Sequence, residues 1–147
     1  GFTLQELRSD TTLTPEGLIR RFADFKFELG EDVQSPENFL ASRSGDCDDF
    51  ATLAADILRE RGYSTHLVVV FMPRDVHVVC YVKETGAYLD FNLRSRAAPL
   101  VATDGSLSDI ALKVARSFRS SWYCASEFQY RNGRREFVYT DFPLATN

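Results

Sequence analysis

Ser44-Gly45-Asp46-Cys47-Asp48-Asp49-Phe50-Ala51 marks the point where loop chemistry gives way to an amphipathic helical pattern, with a cysteine at the head of that pattern. A helix N-terminus presents unpaired backbone N–H groups and the positive end of the macrodipole, so it favours a thiolate and can donate to a nearby anion. Phe50, Leu53, Ala54, Ile57 and Leu58 form one apolar stripe and Gly62 follows as a stop, which predicts a helix from Cys47 to about Arg61. Cys47 then sits at the top of the buried face, one turn above Phe50 and two above Ala54. Gly45 permits a tight turn into the helix. Asp46 reads as its N-cap, and Asp48 and Asp49 suit its positive end. Those acids also oppose a thiolate, so activation of Cys47 falls to a base elsewhere in the chain.

Beyond Gly62 the period changes from helical to extended. His66 to Met72 reads as a central strand ended by Pro73-Arg74-Asp75, and Val76 to Lys83 as the next. Glu84-Thr85-Gly86 then turns the chain into Ala87 to Phe91, an antiparallel arrangement that brings His77 and Asp90 near one another. Counting inward from that turn pairs Val82 with Tyr88 and Cys80 with Asp90, which leaves Asp90 on the wrong face for His77. A bulge or a shift of one residue repairs this.

The first 40 residues look helical. Thr14-Pro15-Glu16 is a cap followed by proline, Leu18, Ile19, Phe22, Phe25 and Leu29 recur at helical spacing, and Gly30 is a stop. A short helical turn begins at Ser35-Pro36-Glu37, carrying Phe39 and Leu40 to the edge of a cleft. Residues 94 to 108 read as loop, and Leu107 to Arg119 includes a short helix. Trp122 to Tyr130 and Arg134 to Phe142 flank Asn132-Gly133, the strongest short-range signal for a β-hairpin. The order is helices first, then an antiparallel sheet, with no internal repeat or low-complexity linker.

The 147 residues, 44% hydrophobic, fit one domain over 1–147 with enough apolar side chains for a core. A net charge of −4 argues against nucleic acid as a partner. No apolar run reaches the ~18 residues a membrane span requires. The chain as given reads as soluble, and its compartment stays open between cytoplasm and export after removal of an N-terminal signal. Three cysteines make an odd count without Cys-x-x-Cys spacing, so neither a fully paired disulfide framework nor a structural zinc site is indicated.

Cys47, His77 and Asp90 satisfy the needs of acyl transfer: a nucleophile, a base that takes its proton, and a carboxylate that fixes the imidazole. The backbone N–H of Cys47 is a candidate oxyanion donor, and Asn38, Ser44 and Gln34 are side-chain candidates for a second. Each residue also has a blander role. A cysteine at a helix start is more often a small buried hydrophobe, yet packing one does not call for three carboxylates around it. His77 between two valines reads equally as a half-buried polar residue, and Asp90 as a strand-end turn residue. His66, the other histidine, reads as a surface residue, and Cys80 and Cys124 as core thiols. Trp122, Tyr123, Phe128, Tyr130, Phe137 and Tyr139 read as sheet packing before a ligand platform.

At Ser44 to Ala51, the helix through Ile57-Leu58 to Gly62-Tyr63, Asp75-Val76-His77-Val78-Val79 and Tyr88-Leu89-Asp90-Phe91-Asn92, the chain resembles the transglutaminase-like superfamily of papain-related cysteine enzymes, particularly its small bacterial members. The resemblance covers roughly residues 35 to 95. It implies an α+β fold with the nucleophile helix packed on an antiparallel sheet, and thiol protease, amidase or protein-glutamine acyl-transfer activity on a protein or peptide, through a thioester. Val78-Val79 after the histidine and Phe91-Asn92 after the aspartate depart from the family's usual aromatic residue and proline turn, which bears on substrate preference. Some bacterial relatives bind calcium through acids flanking the nucleophile, which makes Asp46 and Asp48 candidate ligands, with capping acids the blander reading. The expected function is hydrolysis of a peptide or amide bond by Cys47, His77 and Asp90 with no required cofactor. The alternatives are a noncatalytic peptide- or protein-binding module on the same fold, protein cross-linking, and metal-dependent hydrolysis by Asp46, Asp48 or Asp49 with His77.

Overall fold

The computed structural model describes residues 1–144; positions 145–147, the last three of the expected domain, lie outside the described residues. Helices α1 (Leu4–Ser9), α2 (Pro15–Arg20) and α3 (Pro36–Ser42) lead to α4 (Cys47–Glu60), and each begins on a side-chain cap: Thr3, Thr14, Ser35 and Asp46. Two short strands, β1 (Lys26–Phe27) and β2 (Ser44–Gly45), pair in parallel just before α4. The remaining strands are β3 (Thr65–Phe71), β4 (Val76–Val82), β5 (Ala87–Leu89), β6 (Leu100–Ala102), β7 (Cys124–Arg131) and β8 (Arg134–Asp141), with α5 (Leu107–Ser117) between β6 and β7. They form one antiparallel sheet in the order β6-β5-β4-β3-β7-β8.

The central strands are buried on both faces, which explains the nearly unbroken apolar runs of β3 and β4. Leu67, Val69, Val78 and Cys80 face a core built by α1 to α4, whereas Val68, Val70 and Val79 face α5. The helical layer on the α4 side is held by aromatic packing: Phe22, Phe25, Phe39, Phe50 and Phe91 have neighbouring ring centroids 4.6 to 6.0 Å apart. Among the described residues no helix is long and apolar enough to cross a membrane.

The α+β expectation holds, with corrections. The helix beginning at Pro15 ends at Arg20 and does not run to Leu29, which is 79% exposed. Phe22 and Phe25 are buried from a turn instead, and a turn at the same spacing mimics helical periodicity. The segment 94–108 contains β6, too short to register as a strand. Cys80 is buried, and burial pushes its thiol up to about 12. Cys124 is only half-buried and is not a core thiol. The aromatic hairpin divides likewise: Phe128 is buried, Tyr123 just before β7 is more than half exposed, and so are Phe137 and Tyr139, because β8 is the outermost strand.

Candidate active site

The head of α4 is built by a reciprocal cap. The Asp49 backbone N–H donates to Asp46 Oδ1 at 3.2 Å, and the Asp46 N–H donates to Asp49 Oδ2 at 3.0 Å. The preceding loop is tied to the same carboxylates: Gly30 N–H reaches Asp46 Oδ2 at 3.2 Å, and Gln34 N–H and Nε2 reach the two oxygens of Asp49 at 2.6 and 3.0 Å. Burial pushes the Asp46 carboxyl up, against the pull of the two backbone N–H groups. Gly45 is required here by space. A Cβ would come within 2.5 Å of Asp49 Oδ2 and 2.8 Å of both Gln34 Nε2 and Phe39.

His77 is the second residue of β4, in a stretch, Val76 to Val79, that runs past the pairing with β5. The observed register pairs Cys80 with Leu89 and Val82 with Ala87, one residue away from the count made from the sequence. The cause is a turn one residue longer than read: a 3₁₀ turn over Lys83–Thr85 followed by Gly86 at φ +59°. That shift sets Asp90 on His77's face, with His77 Nε2 2.8 Å from Asp90 Oδ1. Asp90 opens a 3₁₀ turn over Phe91–Leu93 and accepts the Asn92 N–H at 2.9 Å. Phe91 anchors this turn in the aromatic core, and Arg94 lies 3.9 Å over its ring while donating to the carbonyls of Phe25 and Phe91.

His77 and Asp90 are 3% and 1% exposed. Burial alone would lower the imidazole, but the charge and hydrogen bond of Asp90, together with the hydrogen bond and charge of Cys47, overcome it and raise His77 to about 10. The Asp90 carboxylate thus favours the protonated ring. Asp90 holds Nε2 of the ring, and the Cys47 thiol is half-buried. Phe118, the C-cap residue of α5, closes over the ring with centroids 4.9 Å apart. Nothing local in the sequence marks Phe118 for this position.

The structure thus brings Cys47, His77 and Asp90 together. The side chains considered for a second oxyanion donor are bound elsewhere: Gln34 Nε2 donates to Ser44 O and Asp49, Asn38 Nδ2 to Gln34 Oε1, and Ser44 Oγ to Glu28. The calcium candidates have partners within the chain. Asp46 accepts backbone N–H groups, Asp48 is paired with the Arg135 guanidinium at 2.9 Å, and no cluster of three or more ligating side chains occurs among the described residues. His66 lies apart from this site, its Nδ1 3.3 Å from Glu127.

The chain is similar in structure to a protein from Cytophaga hutchinsonii described as a "putative cysteine protease", with 18% identity and a TM-score of 0.44. The similarity covers 98% of this chain and 53% of that one, so this chain spans about half the length of that protein. No curated protein matches the sequence. A family described as "Transglutaminase-like domain" matches residues 9–100, a span that holds Cys47, His77 and Asp90 and stops before α5 and the β7–β8 hairpin. By that match over more than half of its length, the chain belongs to the transglutaminase-like domain family.

Proposed function

We propose that this chain is a cysteine-dependent acyl-transfer enzyme that hydrolyses a peptide or amide bond in a protein or peptide substrate, with Cys47 as nucleophile, His77 as base and acid, and Asp90 as the group that orients His77. The observation that carries this reading is the buried His77–Asp90 pair at 2.8 Å, which favours a charged imidazole beside a thiol at a helix N-terminus. An imidazolium in that position stabilises a thiolate, which offsets the local acids.

Cys47 Sγ attacks the substrate carbonyl carbon. The negative oxygen develops at the head of α4, where the Cys47 backbone N–H and the helix dipole favour it. His77 then gives its proton to the departing nitrogen as the C–N bond breaks, and a thioester remains on Sγ. Water, with its proton taken by His77, cleaves the thioester to a carboxylic acid and restores the thiolate–imidazolium pair. Asp90 holds Nε2–H throughout, so Nδ1 is the nitrogen that gives and takes the proton. The chemistry requires no metal or organic cofactor.

Alkylation of Cys47 by iodoacetamide against pH, followed by peptide mapping to separate it from Cys80 and Cys124, tests the pair directly. The expected result is a rate already high near pH 6 that is lost in His77→Ala. A Cys47 that titrates near the free-thiol value of ~8.5 with or without His77 would sink the enzymatic reading in favour of a noncatalytic binding module.

A further inference from the structure

The β7–β8 hairpin lies outside the region matched to the family, yet it is bonded to the first turn of the nucleophile helix. Arg135 Nη2 donates to both oxygens of Asp48, at 3.0 and 2.9 Å, and Tyr130 Oη donates to Oδ1 at 3.1 Å. The Arg135 guanidinium also lies over the Phe128 ring, 5.1 Å from its centroid. Resting on the acyl-transfer reading above, we infer that Arg135 is a positioning residue for Cys47: it neutralises the Asp48 carboxylate next to the nucleophile and so preserves the positive field at the head of α4.

Three carboxylates surround Cys47 in sequence, and each must be answered if a thiolate is to form there. Asp46 and Asp49 are answered by backbone N–H groups of the cap and the loop. Asp48 is the exception: its partners are Arg135 and Tyr130, both from the hairpin. From the other side Cys47 meets His77 of β4, with Asp90 behind it. The ionisable groups near the thiol are therefore the His77 imidazole, its carboxylate partner, two capped acids and one acid neutralised from 87 residues away. An unpaired carboxylate on the residue next to the nucleophile, in a partly buried setting, is enough to move a thiol's ionisation by a fraction of a unit to about a unit.

The test is the alkylation profile of Cys47 against pH in the full chain, for Arg135→Gln, Arg135→Lys, Asp48→Asn and the double variant Asp48→Asn/Arg135→Gln. Arg135→Gln is expected to move the profile up by about half to one pH unit and to slow alkylation near pH 6 by about 3- to 10-fold. Arg135→Lys keeps most of the wild-type profile. The double variant removes both charges and returns to within about twofold of wild type. Asp48→Asn, which leaves Arg135 uncompensated, moves the profile the other way, so the sign of the response survives if any one variant fails to fold. An Arg135→Gln profile that matches wild type, or one shared by Arg135→Gln and the double variant, overturns the inference. A wild-type profile insensitive to His77→Ala sinks the acyl-transfer reading instead, while the four-way comparison still reads the charge at Cys47.

Discussion

The first turn of α4 is gripped from two sides that differ in how they are built. On the loop side, Asp46 and Asp49 are 5% and 3% exposed and bond to each other's backbone and to Gly30 and Gln34, all within 16 residues of sequence. On the hairpin side, Asp48 remains about a quarter exposed and bonds to side chains 82 and 87 residues away. Buried local bonds of the first kind hold a helix end in place, because breaking them strands donors away from water. A partly exposed ion pair of the second kind contributes little to stability and acts mainly through its field. The two sides therefore divide the work: the loop makes the helix head, and the hairpin sets its charge.

Removing Asp49 tests the loop side most severely. Asp49→Ala leaves the Asp46 N–H and two donors of Gln34 without their acceptor, and the expected loss is about 3 kcal/mol of unfolding free energy in a urea titration. A loss below about 1 kcal/mol would show that the cap is dispensable and the proposed division wrong. Gly45→Ala acts on the same cap through crowding, driving a methyl into Asp49, Gln34 and Phe39. Its expected loss is about 2 kcal/mol, within the range for overpacking a close-packed site.

The His77–Asp90 pair predicts a pH dependence with a definite sign. His77 is raised from the 6.5 of the free side chain to about 10, so the folded protein binds the proton more tightly than the unfolded chain. Its stabilisation is complete below about 6.5 and is lost as pH rises through about 10. Cys80, pushed up to about 12, adds a loss of the same sign once the unfolded thiol ionises, but it does so in every variant. The measurement is the difference in unfolding free energy between wild type and His77→Asn, taken from pH 6 to 10. The wild type should lose stability more steeply across that window, and parallel curves would mean that the imidazole is not held as a cation.

The legibility of the site follows the same division. The capped helix, the central strands and the Asn132–Gly133 hairpin could be read because each rests on local rules: a cap, an apolar period, a turn with positive φ at both central residues. The His77–Asp90 adjacency was half legible. Two strands and a turn were evident, but the register hung on whether Lys83 belonged to the strand or to the turn, and one residue decided which face Asp90 occupied. The helix read through Phe22 and Phe25 failed because burial every third residue does not distinguish a helix from a compact turn. The exposed Phe137 and Tyr139 were misread because composition cannot tell an outer strand from an inner one. Arg135 was illegible altogether, since no local pattern links it to Asp48.

The smallest expected effect separates hydrogen bonding from charge on the hairpin side. Tyr130→Phe removes only the 3.1 Å bond to Asp48 Oδ1 and keeps the ring, which packs edge-on against Phe128 with centroids 5.4 Å apart. Arg135 still donates to both carboxylate oxygens, so the charge on Asp48 stays neutralised. The bond it removes is partly open to solvent, where water can replace it, and the expected loss of stability is about 0.5 kcal/mol. The alkylation profile of Cys47 should move by less than about 0.3 pH units, several-fold less than for Arg135→Gln. Equal shifts in the two variants would mean that the hairpin acts by holding the Asp48 side chain in place, and the contrast between a structural loop side and an electrostatic hairpin side would then collapse into one of two structural clamps.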